Sequence, residues 1–537
     1  MTTKESNGKE LCPKPPSIFV RDATGLVRSF TLLDAFIIST AGLLPGLWGF
    51  GGAMGFIGGS VPGADMVGAM TVALVLSIPL ALVYAYLSGS MPRSGGDYVW
   101  ISRLVNAPLG FVVTWAVWIA IVSVIGVDCW LFPTVILPVS LGTLGYGLGS
   151  AFLVSLASTV STQTTWIFAL ALILLFLSYL ILAFGPEVYS RIMLILFVLV
   201  MFSYVVALVV LAGSTHADFV NAVSGYGGTS ISYNGILSAA QAQGWSFVPL
   251  TFGLTLVGVP AAIMVFSGFN YTAIAAGEIR NTQKSMVPAI GGALIFGWLT
   301  NCIGIYLTMN VVGYQFYQAA LAAGSSWPLV APPWAPVFIA MLIPHSILIL
   351  AIIQVGWLLS FFWNNAAYLM LTTRYIFAFS FDRRFPTKLA DVNDKGLPVK
   401  AMIVNFLIVM VFVAIATYTA WLGLLLNTAA ILCIVWVFAS AAAIILPYKR
   451  KELAQGLPGS KWKVPLVSIV GAFSLIFMLL ATYFAFTVPA IGPSTPQAFT
   501  VLAAIFISGL VVFVAGTVIQ KGRGIDLSQI YKEIPPE

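Results

Sequence analysis

Apolar stretches long enough to cross a lipid bilayer recur along the whole sequence, and they constrain the fold more than any other feature. A transmembrane helix needs about 20 consecutive, mostly apolar residues. Twelve stretches meet this requirement and predict twelve spans, numbered here in chain order. Their predicted ranges are Ala35–Ile57, Val67–Leu87, Leu109–Ile136, Trp166–Phe184, Ile192–Leu211, Phe247–Ala276, Ala289–Val311, Val337–Tyr368, Ala401–Tyr418, Leu422–Leu446, Val464–Val488 and Phe499–Val518.

The composition excludes a water-soluble protein. Of the 537 residues, 60% are hydrophobic and only 8% are charged, whereas a soluble domain carries about 25% charged residues. Too few charged side chains are present to cover a solvated surface, so a soluble enzyme and a nucleic-acid-binding protein are excluded. The predicted fold class is an all-α membrane protein with twelve transmembrane helices.

The positions of the basic residues predict the orientation in the membrane. All 24 lysines and arginines lie in the terminal segments, in loops that follow even-numbered spans, or in the last turns of such a span. Basic loops stay on the cytoplasmic side of a membrane. Both termini are therefore predicted to be cytoplasmic, in a multi-pass protein of the cell (plasma) membrane. The net charge of +7 needs no nucleic-acid partner to explain it.

Two spans contain helix-breaking sequences near their middles. Span one has Pro45 between small and apolar residues, and span six has a glycine flanked by polar residues. A packed kink or a notch for helix contact would explain either break alone, but paired breaks indicate a transporter site. The candidate substrate-binding residues are Gly42, Leu43, Leu44, Gly46, Phe266, Ser267, Gly268, Phe269 and Asn270.

The two breaks fall in the first helix of two five-span blocks. Because five is odd, the second block must insert upside down relative to the first, which is the inverted-repeat arrangement of many secondary transporters. The predicted organisation is a cytoplasmic segment 1–31, a first repeat 32–212, an extracellular loop 213–246, a second repeat 247–446, a cytoplasmic loop with helices eleven and twelve at 447–519, and a cytoplasmic tail 520–537.

Three longer motifs accompany the breaks. They are Met91–Trp100 after span two, Gly268–Asn281 at the end of span six, and Arg374–Val399 after span eight. Together with the breaks, they resemble the amino acid–polyamine–organocation (APC) family of secondary transporters over most of residues 35–446. The resemblance implies a leucine-transporter-type fold of two inverted five-helix repeats plus two further helices. It also implies transport by alternating access and no enzymatic activity.

The resemblance places the substrate at the two breaks, beside spans three and eight. An apolar and aromatic complement that includes Tyr368 could line this site. One departure from the family pattern is that bulky Leu43 and Leu44 occupy a stretch that is usually Gly-small-Gly. The resemblance further implies a gate at the inner mouth, where the charged residues Arg93, Asp97 and Glu278 could close the path.

Asp128 is the clearest charged residue at membrane depth, and such residues are functional candidates. The preferred interpretation is nevertheless an acid near the outer interface, wetted by solvent, because Pro133 and Gly142 are expected to end the helix. The alternative is a role in coupling or in binding a cation. Asn364 in span eight could ligate a cation or substrate, although a helix–helix hydrogen bond is the more common role of such a residue.

No acid or base occupies either break, so the predicted substrate is a neutral amino acid with an apolar or aromatic side chain. A bare buried cation would need an acidic partner. Polyamines or cationic amino acids, with Asp128 as partner, are the alternative, as is amino acid exchange. A membrane enzyme is less consistent with the sequence, since clustered catalytic or metal-binding residues are not found at membrane depth. A channel is less consistent because it would lack the paired broken helices. No cofactor or metal site is predicted.

The coupling ion is predicted from what span five contains. Some APC relatives are thought to use a lysine there, but here the polar residues of that span are Ser203 and Tyr204. Two routes remain open: protons through Asp128, or sodium between the carbonyls of span one and span eight, where Asn364 or Ser360 could contribute oxygens. Protons are preferred because no adjacent hydroxyl pair marks a sodium site in span eight before Thr372.

Overall fold

The computed structural model describes residues 25–532, apart from residues 44, 420, 422–427, 489–492, 494, 526 and 528. Every regular element in this part of the chain is a helix. Within it, eleven helices are long and apolar enough to cross a membrane, and the shorter apolar helix Phe252–Val265 takes the place of the predicted sixth span, which agrees with the predicted twelve-helix membrane fold. The spans are Leu32–Gly42 continued by Leu47–Ala53, Met66–Ser90, Ala107–Leu148, Thr164–Ala183, Pro186–Ala212, Phe252–Val265 continued by Tyr271–Ile274, Thr282–Val312, Ile347–Phe381, Val399–Tyr418, Thr428–Lys449, Leu466–Thr487 and Pro496–Gly522.

Three predicted span boundaries are wrong. The predicted end of span three is Ile136, but the helix continues to Leu148, and the predicted end of span eight is Tyr368, but the helix continues to Phe381. The predicted range Val337–Tyr368 joins two elements, because a short helix ends at Leu342 and span eight begins only at Ile347. Pro344 lies between them and lacks the N–H that a continuous helix would need. The predicted start of span ten, Leu422, lies outside the described residues.

In the described part of the chain, five short helices lie in the long segments after spans three, five and seven. Four of them pack against one another at one end of the bundle, and the fifth, Ala151–Thr162, packs on spans three and four. The rings of Phe219 and Phe316 are 5.1 Å apart, and those of Phe316 and Phe338 are 6.1 Å apart. The helices are Ala151–Thr162, His216–Val223, Tyr233–Ala242, Tyr314–Ala322 and Ala335–Leu342.

The breaks in spans one and six have local causes. Pro45 cannot donate a backbone hydrogen bond, and Gly46 has φ of 96°, a conformation that side-chain-bearing residues rarely adopt. In span six the chain leaves the helix at Phe266 and makes tight turns, with the Phe269 N–H donating to the Phe266 carbonyl at 3.2 Å. The helix resumes at Tyr271.

The first span is central and the twelfth is peripheral. In the most apolar window of each, 76% of span one is buried within the protein, compared with 17% of span twelve. Lipid tails can cover the apolar surface of span twelve, but span one is covered by other helices. The broken segments therefore lie in the protein interior, where irregular backbone is tolerated at membrane depth.

Backbone hydrogen bonds fix the end of span six to two other segments. The Phe30 N–H donates to the Glu278 carbonyl at 3.0 Å, and the Arg280 N–H donates to the Phe30 carbonyl at 2.9 Å. The loop after span two joins them, because the Gly95 N–H donates to the Ile274 carbonyl at 2.9 Å. These bonds position the acidic residues of both motifs at one end of the bundle.

Candidate functional site

The two breaks contact each other through glycine backbone. A β-carbon added at Gly268 would lie 2.0 Å from the carbonyl carbon of Gly42, and one added at Gly42 would lie 2.7 Å from the α-carbon of Gly268. No side chain fits between two segments at these distances. The candidate residues of spans one and six are thus brought together, as the sequence predicted, although Leu44 lies outside the described residues.

Hydroxyl groups next to the breaks join the two spans, and sequence reasoning missed them. The Ser39 and Thr272 hydroxyls are hydrogen-bonded to each other. The Thr272 hydroxyl also donates to the Ala35 carbonyl oxygen at 2.6 Å. A usable signal was their spacing, because Ser39 precedes Gly42 by three residues and Thr272 follows Gly268 by four, about one helical turn in each case.

A polar group that we call the Asp128 cluster lies beside the breaks and consists of Asp128, Tyr271, Asn364 and Tyr368. The Asn364 side-chain N–H donates to Asp128 Oδ2 at 3.1 Å. The rings of Tyr271 and Tyr368 are 5.1 Å apart, and the Tyr271 ring occupies the space where a β-carbon of Gly42 would be. Spans three, six and eight therefore meet at the break of span one.

The interpretation of Asp128 as a solvent-wetted acid is wrong. The residue is only 8% exposed. Its helix continues for five further turns, to Leu148, so Pro133 does not bring it to a helix end. Its hydrogen-bonding partner Asn364 is neutral. Asp128 is therefore a buried carboxyl group next to the candidate substrate site.

Several buried amides near the breaks have atoms that no protein group satisfies within the described part of the chain. They include Oδ1 of Asn270, Oδ1 of Asn364 and both polar atoms of the Asn301 side chain. Buried polar atoms are nearly always hydrogen-bonded. Asn301 lies on span seven between Gly297, which faces Leu43, and Gly304, which faces Phe50. It was not predicted as a site residue.

The remaining predicted residues of the breaks face different neighbours, and all of them are buried except Ser267, which is half-buried. Leu43 packs toward Gly297 of span seven, and Gly46 lies against Val200 and Met201 of span five. Phe266 is completely buried at the break. Phe269 lies between the rings of Tyr84 and Trp436, at centroid distances of 6.3 and 6.4 Å. Ser267 continues the turn, with its N–H donating to the Met264 carbonyl at 3.0 Å.

On one side of the breaks lies a group that we call the tryptophan cluster, made of Trp48, Trp334, Trp357 and Phe361. Trp48 follows the break in span one and stacks on Trp334 with ring centroids 5.0 Å apart. Its ring is 4.7 Å from Phe361 and 5.5 Å from Trp357. Trp357 is held in place by a 3.1 Å hydrogen bond from Nε1 to the Ile136 carbonyl.

On the other side lies a group that we call the ion-pair cluster, made of Arg103, Glu278, Arg374 and Asp382. Arg374 donates to both carboxylate oxygens of Glu278 at 2.7 Å. Arg103 donates to both oxygens of Asp382 at 2.8 and 2.6 Å. All four side chains are at most 2% exposed. Sequence reasoning identified only Glu278 of these four as a gate residue.

The other two predicted gate residues have different surroundings. Asp97 accepts hydrogen bonds from the Tyr84 hydroxyl at 3.0 Å and the Tyr375 hydroxyl at 2.8 Å. Arg93 donates to the Pro92 carbonyl at 2.8 Å and lines a small cavity together with Arg103 and Asp382. The buried ion pairs at this end therefore include Arg103, Arg374 and Asp382, which the sequence motifs did not single out.

Comparison with known proteins identifies the family of this chain. Residues 30–512 match the protein family described as amino acid permease. The chain belongs to the amino acid permease family. Permeases of this family are transporters, so the expectation that the protein is not an enzyme is confirmed.

Curated permeases with related sequences come from two bacteria. The branched-chain amino acid permease BcaP of Lactococcus lactis is 23% identical over 434 residues, which is 79% of this chain and 82% of BcaP. The glutamate/serine transporter AimA of Bacillus subtilis is 22% identical, over 79% of this chain and 72% of AimA. The aromatic amino acid permease FywP of L. lactis is 26% identical over 44% of this permease and 49% of FywP.

Proposed function

We propose that this permease carries neutral amino acids with apolar side chains by alternating access, and that it couples their uptake to protons. The contact between Gly42 and Gly268 beside the Asp128 cluster carries this proposal. It brings two interrupted helices together in the protein interior, and the ends of a helix carry backbone groups that lack an intrahelical partner. Helix C-terminal ends offer carbonyls to an ammonium group and N-terminal ends offer N–H groups to a carboxylate.

The surroundings of the breaks support an apolar side chain on the substrate. Aromatic surface lies close to Gly42 and Gly268. It is supplied by Phe266, Tyr271, Tyr368 and the tryptophan cluster. Two of the related permeases are named for branched-chain and aromatic amino acids. The third is named for glutamate and serine, so the family resemblance by itself leaves the substrate class open.

Asp128 is the proposed proton-coupling residue. Its described partner is the neutral Asn364 amide rather than a basic side chain, so a proton can neutralise it without breaking an ion pair. The same geometry supports a second candidate function, the transport of polyamines or cationic amino acids with Asp128 as the partner of the cation. Sodium at Asn364 and Ser360 is less well supported, because the Ser360 hydroxyl donates to its own helix at the Trp357 carbonyl.

The two clusters are the proposed gates. The two clusters lie at different levels along span eight, which contributes Trp357 and Phe361 to the tryptophan cluster and Arg374 to the ion-pair cluster. Each cluster joins elements that must separate to expose the site. From the basic loops, we place the ion-pair cluster and both termini on the cytoplasmic side of the plasma membrane. The two inverted five-helix repeats at 32–212 and 247–446 are the proposed moving units.

An uptake screen in proteoliposomes tests this proposal. Each amino acid, together with a polyamine, is offered with and without a pH gradient or a sodium gradient. Neutral apolar amino acids should accumulate under a pH gradient. Accumulation of cationic substrates alone would establish the second candidate instead. Gly268→Ala should abolish uptake because its β-carbon would meet Gly42, whereas Gly291→Ala is the control, since its β-carbon would meet nothing within 4 Å.

Asp128→Asn tests the coupling. Asparagine keeps an oxygen for the Asn364 N–H but does not titrate, so accumulation driven by a pH gradient should be lost. Counterflow exchange should persist, because substrate binding and the conformational change need no proton. Asp391→Asn, at an exposed acid, is the control and should retain both activities. Full pH-driven accumulation by Asp128→Asn would remove Asp128 from the coupling mechanism.

A further inference from the structure

Three buried carboxyl groups lie at the ion-pair end of the bundle, and one of them differs from the others. Glu278 and Asp382 each receive two hydrogen bonds from an arginine. Asp97 is equally buried, at 1% exposure, but its side-chain partners in the described chain are two tyrosine hydroxyls. A carboxylate paired with arginine keeps its charge, whereas one held by neutral donors is easier to protonate.

Asp97 is positioned to respond to movement at this end. It lies in the loop after span two, and it joins Tyr84 of span two to Tyr375 of span eight. The preceding Gly96 packs on Ile274, at the end of span six, with a β-carbon position 3.0 Å from the Ile274 α-carbon. Opening this end must separate these spans, and separation would expose Asp97 to water.

Among the described residues, no basic side chain forms an ion pair with Asp97. Tyr84 and Tyr375 are its hydrogen-bonding neighbours, and both basic residues of the ion-pair cluster are engaged with other acids. From span ten, which packs on this loop, the Lys449 ammonium donates to the Leu104 carbonyl at 3.1 Å. The charged and titratable groups of the region are Tyr84, Arg93, Tyr98, Arg103, Glu278, Arg374, Tyr375, Asp382, Lys449 and Tyr531.

We propose that Asp97 is a proton-binding residue of the transport cycle, which takes up a proton when the ion-pair end closes and releases it to the solution on that side when this end opens. The inference rests on the proposed alternating access but not on the identity of the substrate. The only covalent change is transfer of one proton between solvent and a carboxyl oxygen of Asp97.

The sign of the pH effect follows from burial. Desolvation raises the pKa of Asp97 to about 6, although hydrogen bonds from Tyr375 and Tyr84 oppose the shift. In an open state the residue is solvated, and its pKa should return to about 3.9. The closed state therefore binds the proton more tightly. Acid favours closure fully below about pH 4, and this advantage is lost as the pH rises through about 6.

Accessibility of a reporter cysteine measures this effect. Ala378→Cys, in a background without the four native cysteines, lies in the cavity beside Arg103 and Asp382 and should be labelled only when this end opens. Labelling rates are compared with those of the same reporter carrying Asp97→Asn. Their ratio cancels the intrinsic pH dependence of the thiol. The ratio should fall about tenfold from pH 7 to pH 5, as the two pKa values require.

Tyr375→Phe separates proton binding from a structural role and remains informative if Asp97→Asn does not fold. Removing a donor to the carboxylate should raise the pKa of Asp97 and move the labelling midpoint to higher pH. Infrared difference spectra should show a protonated carboxyl band that titrates near pH 6 and shifts in the same direction. Asp391→Asn is the control for both measurements and should change neither midpoint.

A labelling ratio that is independent of pH, or a midpoint unchanged by Tyr375→Phe, would overturn the proposal. These measurements need no substrate, so they fail independently of the uptake screen. A protein that titrates at Asp97 but transports no amino acid would contradict only the proposed function. A protein that accumulates neutral amino acids with a pH-independent reporter would contradict only the role of Asp97.

Discussion

At one end of the bundle Arg374 holds Glu278 by two hydrogen bonds of 2.7 Å, and at the other end Trp48 stacks on Trp334 with ring centroids 5.0 Å apart. The two contacts lie on opposite sides of the breaks in spans one and six. The first is directional and charged, and both partners are almost completely buried. The second is made by apolar surfaces, and rings can slide while keeping part of their contact.

This difference predicts different ways of opening. A buried ion pair that separates must be hydrated at both partners, because one charge left alone in the interior is costly. The ion-pair end should therefore populate a closed state and an open state, without stable intermediates. Aromatic contacts lose stabilisation gradually with separation, since their energy is a sum of many small dispersion terms. The tryptophan end should tolerate intermediate positions and conservative substitutions.

The largest expected effect comes from removing one charge of the ion-pair cluster. Arg374→Gln would leave Glu278 buried without a cation, and we expect a loss of about 3–5 kcal/mol in unfolding free energy. Thermal or denaturant-induced unfolding of the detergent-solubilised protein measures this loss. Lys400→Gln removes the exposed ion pair with Asp391, whose side chains are 54% and 57% exposed, and is the matched control. Its effect should be about 0.5 kcal/mol or less.

Equal stability of the Arg374→Gln and Lys400→Gln variants would break the comparison. That result would mean that water reaches Glu278 in the closed protein. The ion-pair end would then be no more cooperative than an exposed surface contact, and the two ends would not differ in the way that their geometry indicates.

A smaller effect is expected at the tryptophan end. Trp48→Leu removes ring contacts with Trp334, Trp357 and Phe361 but leaves an apolar side chain, and we expect a loss of about 2 kcal/mol. Trp462→Leu, at a residue that is 59% exposed, is the control and should change stability by about 0.5 kcal/mol or less. A loss at Trp48 as large as that of Arg374→Gln would indicate that the ring cluster is as cooperative as the ion pairs.

The smallest effect should follow from a substitution that retains part of the stack. Trp334→Phe keeps an aromatic face toward Trp48 but reduces its area, so we expect a loss of about 1 kcal/mol or less. The same unfolding measurement detects it, and Trp462→Phe provides a control with the same chemical change at an exposed site. If Trp334→Phe were as damaging as Trp48→Leu, the stack would depend on one exact fit, contrary to the graded contact proposed here.

Much of the fold was predictable because its causes are local. The span count follows from apolar length, and the break in span one follows from Pro45 and Gly46 in the chain itself. The boundary of span eight was wrong because apolar composition continues across Pro344, into a helix that ends at Leu342. Hydropathy measures what a segment can bury, whereas the turn depends on one missing N–H and on packing of the segment that precedes it.

The candidate site was predictable only in part. The glycines at both breaks were selected because irregular backbone at membrane depth needs a reason, and the structure brings Gly42 and Gly268 together. Asp128 was interpreted as an interfacial residue because prolines usually end helices. Span three continues past Pro133, and no short sequence window shows that Asn364 will meet this carboxyl group.

The sequence by itself determined twelve spans, the two interruptions and the residue types at them, because bilayer thickness and backbone hydrogen bonding act on each segment separately. The tertiary structure decided which charges are neutralised. Glu278 and Arg374 are 96 residues apart in the chain, Asp97 and Tyr375 are 278 apart, and Arg103 and Asp382 are 279 apart. Such pairs form only when packed helices bring distant segments together, so Asp97 differs from its acidic neighbours for a reason that lies in the packing.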